Sequence, residues 1–507
     1  MTTEEELVAA KNRIKERLFA LPGVLLVGVG AKEVGGVLTT QPAVKVLVRE
    51  KFPARALAAA ELIPSEVDGI PTDVVGIGGI VPHASERPPG VLNPAMREDK
   101  EPRLRPLTSG AYLGPEGVNS QGTLGCFLKD RIQEWKVYAL TCQHVITDDG
   151  AFTPLPLVSR VGQPRGVDGF LCSDIFGAYV AGAEEYAVNP DGRKSRVADR
   201  DEGLIRLRPG ERWRPFVEGI GEITGVHPLT PLESSSKYPV RKYGGRTQKT
   251  GGVVSGMYDS PRQADNLILV TPHPRPDQQA WDTRHFSWHG DSGSVVVNDT
   301  GTNDPDGKPV VEVVGLLYGG TPANPGESAV MPIQKVLERF AHHELLVLEV
   351  ATIRNSAPVN TVPDPPPGTP AADASDGAVP APTGALAGIE ADLQASPAGR
   401  LLHALWRDHR EELAALVRHE RRVAVAWHRG GGPGLVQLLV RMSARADLAL
   451  PQTLAGRPLD DCVDQLHREF REHAGPDLRA ALDRAHSALP RLAGLTYPQL
   501  IDALGRA

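Results

Sequence analysis

Between Gly122 and Tyr318 the chain breaks into short β-branched or aromatic runs separated by turn-forming residues, and this pattern constrains its fold most. The runs are Thr123–Leu128, Trp135–Leu140, Gly203–Leu207, Gly219–Val226, Tyr238–Tyr243, Gly252–Met257, Asn266–Val270, Ser294–Val297 and Val311–Tyr318. Many short strands at such spacing predict an all-β barrel or sandwich. Only 332–341 reads as helix nearby.

The flanks differ from this centre, and 507 residues suggest a multidomain chain of about three domains. Residues 4–20 carry Leu7, Ile14, Leu18 and Phe19 among charges at helical spacing, and Pro22-Gly23 stops the pattern. Strands are expected at Val24–Val29, Ala43–Val48 and Thr72–Val75, with a short helix over Ala56–Leu62. This gives a small α+β domain over 1–84. Gly28-Val29-Gly30 lacks the third glycine of a dinucleotide fingerprint. A Pro/Arg/Glu/Gly-rich connector fills 85–118, and the β-rich domain fills 119–354. Residues 355–388 form a Pro/Ala-rich linker reaching on the order of 50–100 Å. An all-α domain over 389–507 is expected to hold helices at 398–418, 420–428, 433–444, 458–473, 476–488 and 497–505. Arg429 to Gly434 reads as an interhelix turn, and His403, His409, His467 and His473 as surface histidines.

Composition narrows the function classes. A net charge of -7 and 5% aromatic residues give no reason to expect nucleic acid or an anionic membrane as partner. Four scattered cysteines without a C-x-x-C pair make neither a zinc framework nor a disulfide scaffold. No metal or cofactor is expected. The acidic N-terminus has no signal-peptide core, and no apolar run approaches the roughly 20 residues that span a bilayer. A cytoplasmic location is therefore expected.

Three motifs carry chemistry. His289-Gly290-Asp291-Ser292-Gly293-Ser294 opens directly into Val295-Val296-Val297, a turn that can hold a hydroxyl clear of the core and aim backbone amides at one point. Acyl transfer needs both features. Ser292 is the candidate nucleophile, and the amides of Gly290 and Ser292 the candidate oxyanion hole. Alone, Gly-Asp-Ser-Gly makes an ordinary hairpin turn just as well. Upstream, His144 follows the apolar run Ala139-Leu140-Thr141-Cys142-Gln143, and Asp201 stands at the mouth of Gly203-Leu204-Ile205. Either residue alone could be structural. Together the order His, Asp, Ser is a known serine-triad order, the one found on double β-barrels.

On these residues the segment 122–340 resembles the trypsin-like (chymotrypsin-fold) serine peptidases. It is most similar to the bacterial and plant branch typified by the plant narrow-leaf protease. That branch has a Gly-Thr-Leu-Gly strand before the histidine, here Gly122 to Gly125. It also has a Val-x-Lys-x-Gly-Arg-Thr segment, here Val240 to Thr247 with one extra residue. Ser294, Cys142-Gln143 and Gly203 depart from the family pattern without removing a reacting group. The resemblance implies a central double-barrel domain, protein or peptide substrates, and a triad of His144, Asp201 and Ser292, with Asp201 chosen over Asp199 by family spacing. It places the substrate pocket at Phe286, Leu317, Tyr318 and Gly319. The sequence offers no aspartate at the pocket-base position by Phe286, so an apolar residue before the cut is favoured over Arg or Lys. Arg13-Ile14 lies inside the predicted first helix and no zymogen-type Arg–Ile junction stands in the connector before Gly122, so Asp291 is expected to satisfy local amides, and another restraint on the site is expected. The tethered helical domain suggests recruitment to a protein partner, an architecture suited to bacterial regulation or defence. The competing reading is a catalytically silent protease-fold scaffold that binds peptides or partner proteins.

Overall fold

The computed structural model describes residues 2–82, 103–115, 121–146, 161–164, 174–182, 186–188, 194–196, 201–260, 267–274, 276, 285–321, 326–343, 346–364, 389–420, 422–423, 426–427, 439, 442–443, 448–454 and 457–506. Its elements begin with helix α1 (Glu4–Phe19), β1 (Val24–Val34), β2 (Val37–Val48), β3 (Glu66–Val67), β4 (Ile70–Gly76), β5 (Val81–Pro82), β6 (Leu107–Ser109) and β7 (Tyr112–Pro115). There follow β8 (Gly122–Thr123), β9 (Phe127–Asp130), β10 (Val137–Cys142), the single-turn helix α2 (Gln143–Ile146), β11 (Val161–Gly162), β12 (Ile175–Gly182), β13 (Tyr186–Val188), β14 (Lys194–Arg196) and β15 (Glu202–Leu207). Next come β16 (Arg212–Val217), β17 (Gly221–Val226), α3 (Pro231–Ser234), β18 (Pro239–Gly244), β19 (Gln248–Asp259), β20 (Leu267–Pro272) and β21 (Val295–Asn298). The β-rich part ends with β22 (Val310–Gly320), β23 (Ser328–Pro332), α4 (Ile333–His343), β24 (Leu348–Val350) and β25 (Asn360–Thr361).

Alternation and turn chemistry yield two barrel-like sheets in the centre, as the spacing of the runs predicts. The first runs β24-β9-β10-β15-β12-β11-β7-β8. The second runs β16-β17-β22-β21-β18-β19, and β20 and β23 link β19 back to β22. Phe127, Leu140, Leu204, Trp213, Leu316 and Phe340 belong to one buried cluster, which draws on both sheets and on α4.

At the N-terminus, Thr3 caps α1 in a box with Glu6, and Leu7, Ala10, Ile14 and Leu18 form its buried stripe. That stripe packs on Val27, Val29, Val44 and Val46. The helix expected over Ala56–Leu62 is instead two short 3-10 turns, Ala54–Ala56 and Ala59–Glu61, neither of which buries a residue. A segment with no apolar face to bury gains little from a longer helix. The N-terminal sheet continues into the second barrel, because β1 pairs antiparallel with β19, Val27 facing Asp259 and Gly30 facing Gly256. Gly28 and Gly30 permit this approach: a Cβ on either would lie 2.0 Å from the Met257 carbonyl oxygen or 2.2 Å from that of Ser255. The glycine pair serves strand packing.

The two segments read as connector and linker contain ordered structure among their described residues. Within the connector, β6 and β7 bury Leu107, Tyr112 and Leu113, and Ala111 between them is buried too; residues 85–102 and 116–118 lie outside the described residues. Residues 355–364, read as the start of the linker, include ordered contacts. Val362 is buried, its amide donates to Glu211 O at 2.9 Å, and its carbonyl accepts from Gly210 at 2.9 Å. Residues 365–388 lie outside the described set.

The C-terminal region contains helices Pro397–His419, Leu459–His473, Pro476–Ser487 and Tyr497–Arg506, close to their expected spans. Of the helix expected over 420–428, residues 422–423 and 426–427 are helical, while 421, 424, 425 and 428, most of 433–444 and the turn at 429–434 lie outside the described residues. Leu413, Val417, Phe470 and Leu478 share an apolar cluster that Val347 joins from the end of the β-rich part. His467 pairs with Asp483 at 3.0 Å and stacks on His486. No helix among the described residues is long and apolar enough to cross a membrane.

Candidate active site

The β10–β15 register brings His144 and Asp201 together. Cys142 lies opposite Glu202, so the next residue on β10 meets the one preceding β15, and Gln143 N donates to Asp201 O at 2.7 Å. Helix α2 then turns the chain through one helical turn. Gly203 leaves room for it, since a Cβ there would lie 2.7 Å from Ile146 Cδ1. Asp201 grips His144 twice: Oδ1 accepts from the His144 backbone amide at 2.9 Å, and Oδ2 closely contacts Nδ1. This hold fixes the ring and favours a proton on Nδ1. His144 is 2% exposed and Asp201 1%. Asp199 lies outside the described residues.

Ser292 occupies a turn pinned from several sides. Thr123 N donates to Ser292 O at 2.8 Å, and Thr123 Oγ1 donates to Gly290 O at 2.9 Å. Thr123 Oγ1 also accepts from Gly245 N, while Thr141 Oγ1 donates to Thr123 O. Gly293 N donates to Leu317 O at 2.8 Å, and Ser294 N to Asp291 O at 2.9 Å. Gly290 and Gly293 take φ of 95° and 90°, which a side chain would strain. A Cβ on Gly293 would fall 2.2 Å from Thr141 Oγ1 and 3.1 Å from Cys142 N, so this turn lies directly against the end of β10 that leads to His144. A Cβ on Gly122 would fall 2.3 Å from Val145 Cγ2 and 2.8 Å from Ser292 O. The Gly-Thr-Leu-Gly motif thus sits where the histidine turn and the serine turn touch. Tyr112, from the segment read as connector, underlies Gly290 and Gly245.

The predicted pocket residues lie deep. Phe286, Leu317 and Tyr318 have 0% exposure, with Phe286 and Leu317 in the second barrel's cluster and Tyr318 in the larger one. Leu317 N donates to Ser294 O at 2.9 Å, extending the β21–β22 pairing by one step toward Ser292. Beyond that point the same edge of β22 is taken by β5, with Gly319 opposite Pro82 and Gly320 opposite Val81. β23 holds the other edge.

Asp291 was expected to satisfy local amides, and it does accept backbone amides; sequence reasoning missed Lys242 and the Thr247 hydroxyl beside it, and the Glu202–Arg339 pair behind Asp201. Asp291 Oδ1 accepts from the amides of Arg246 and Thr247, each at 3.0 Å. Oδ2 accepts from Trp288 N at 2.9 Å and Thr247 Oγ1 at 2.7 Å, and it pairs with Lys242 Nζ at 3.1 Å. Glu202, fully buried, pairs with Arg339 of α4 at 3.1 Å and accepts the Asp201 amide at 3.1 Å. Burial raises the Glu202 pKa, and Arg339 opposes the rise. Cys142, His144 and Asp201 also gather three metal-ligand atoms within 4.8 Å. However, the thiol bonds to Leu317 O, and imidazole and carboxylate face each other.

No family model matches the chain, and no curated protein matches it. Among solved structures it is similar to a chymotrypsin of Cellulomonas bogoriensis at 13% identity and a TM-score of 0.26, covering 48% of this chain and 98% of that one.

Proposed function

We propose that this chain is a serine endopeptidase acting through an acyl-enzyme. Ser292 Oγ attacks the scissile carbonyl while His144 takes its proton, and the oxyanion is stabilised by the amides of Gly290 and Ser292. His144 then gives the proton to the leaving amine, and water, activated by the same imidazole, releases the acid. Asp201 holds the ring and stabilises the imidazolium. The two-point grip of Asp201 on His144, beside the Ser292 turn, carries this reading. The pocket role of Phe286, Leu317, Tyr318 and Gly319, and recruitment of a protein partner through the C-terminal helices, belong to the same proposal. Strand β5 on the edge of β22 supports a restraining role for the N-terminal region.

The test is covalent labelling of the full chain by a fluorophosphonate, compared with Ser292→Ala. Labelled wild type beside unlabelled variant is the expected result. Ser292→Ala or His144→Ala should cost on the order of 10⁶ in kcat and Asp201→Asn about 10⁴. Full peptide turnover in Ser292→Ala would refute the mechanism. The scaffold reading draws on the 0% exposure of Ser292; it predicts peptide binding without labelling.

A further inference from the structure

The C-terminal end of the helix Leu459–His473 gathers three metal-binding side chains that take no part in the triad. Glu469, Glu472 and His473 stand at i, i+3 and i+4, so the helix turns all three to one face. Their ligand atoms all lie within 4.8 Å of one another. Around a tetrahedral ion with bonds of about 2.1 Å, ligand atoms stand about 3.4 Å apart, and Glu472, 62% exposed, has room to close the difference. Glu469 Oε2 and His473 Nε2 are both buried without a hydrogen-bond partner. Each such atom costs free energy while it stays unmatched. His473, read from the sequence as a surface histidine, is only 24% exposed, and its Nδ1 faces Glu420 Oε2 at 3.6 Å. Glu420 is the C-cap of the helix Pro397–His419. A carboxylate behind one ring nitrogen, with the second nitrogen left over, is the arrangement of a metal-bound histidine. The last turn of a helix also carries partial negative charge, which favours a cation. Arg422 approaches Glu472 to 3.9 Å, but at 73% and 62% exposure this pair holds the glutamate weakly.

We propose that Glu469, Glu472 and His473 bind a first-row divalent cation of the zinc class, with the imidazole ligating through Nε2 and Glu420 holding its other nitrogen. The imidazole sets the class. Carboxylates alone would suit magnesium or calcium, whereas a ring nitrogen selects zinc and its neighbours. Bound there, the ion offsets the charge of both glutamates and gives the two buried atoms a partner. Through Glu420 it also clasps the end of the helix Leu459–His473 to the end of the helix Pro397–His419. Three protein ligands leave a fourth position for water or for a donor from a partner. The site is independent of the Ser292 mechanism.

Zn²⁺ titration of the full chain by calorimetry, after stripping with a chelator, tests it. Wild type should bind the ion and melt at a higher temperature in its presence. Glu472→Gln and His473→Gln should each weaken binding on the order of 10²-fold, and Glu420→Gln, one step removed from the ion, about 10-fold. Glu472 is exposed, so Glu472→Gln keeps the test open if His473→Gln fails to fold. Co²⁺ in place of Zn²⁺ should give visible bands without the charge-transfer band of a thiolate ligand. A wild type that binds no Zn²⁺ overturns the proposal, as does unchanged affinity in Glu472→Gln and His473→Gln. An ion that leaves in Cys142→Ser and stays in Glu472→Gln overturns it too, since that ion sits beside His144 and Asp201.

Discussion

Gly244 shows how much the Ser292 turn demands of single residues. Its missing Cβ is the space into which Asp291 Oδ1 reaches for the amides of Arg246 and Thr247. Gly244→Ala should therefore destabilise the protein by about 1–3 kcal/mol, as overpacking does, and should slow labelling as well. Thermal unfolding and probe kinetics check the two effects separately, and a labelling rate equal to wild type would break the link between them. The sequence already hinted at this cluster. Val240, Lys242 and Gly244 share the buried parity of β18, and a lysine on an inward parity calls for a counter-ion. Which acid answers it was not legible, because Asp291 lies 49 residues from Lys242 along the chain. His144, Asp201 and Ser292 were easier to single out, since each sits in a local turn or strand end that its neighbours dictate.

Between elements, α4 braces β15. Arg339 reaches from the helix to Glu202, and Glu202 in turn holds the amide of Asp201. A carboxyl whose folded pKa lies above its unfolded one adds stability below the unfolded value and loses it as pH rises through the folded value. Burial raises Glu202 in this sense, while Arg339 counters it. Arg339→Met should thus cost on the order of 3 kcal/mol, with a penalty that grows from mildly acidic to mildly alkaline pH. Melting temperatures of wild type and variant across that range test it, and a pH-independent difference would contradict it. Element legibility followed burial pattern. Runs such as Val311–Tyr318 announced themselves, whereas β6 and β7 did not. Their few apolar residues are flanked by Pro and Arg, and the cluster that covers them is assembled from distant parts of the chain.

For the whole molecule, the N-terminal region meets the second barrel twice, through β1 on β19 and through β5 on β22. Local periodicity revealed β1, β19 and β22 but neither β5 nor these pairings, because backbone partners leave no mark on side-chain pattern. An extended peptide seeking the Gly319–Gly320 edge must displace β5. Replacing Val81 and Pro82 together by glycine should raise kcat/KM on peptides about tenfold, equivalent to about 1.4 kcal/mol, and should change labelling by a small probe much less. A peptide assay of the double variant decides the matter, and unchanged or reduced turnover would contradict it. The other contact bears on what happens when the chain is trimmed. Stripping away β1 bares the backbone of Gly256 to Asp259, which now faces a neighbour. An uncovered rim of this kind pairs readily with any extended chain that comes near. Fragments lacking their first three dozen or so residues should consequently be sticky, clumping with one another rather than persisting as free monomers.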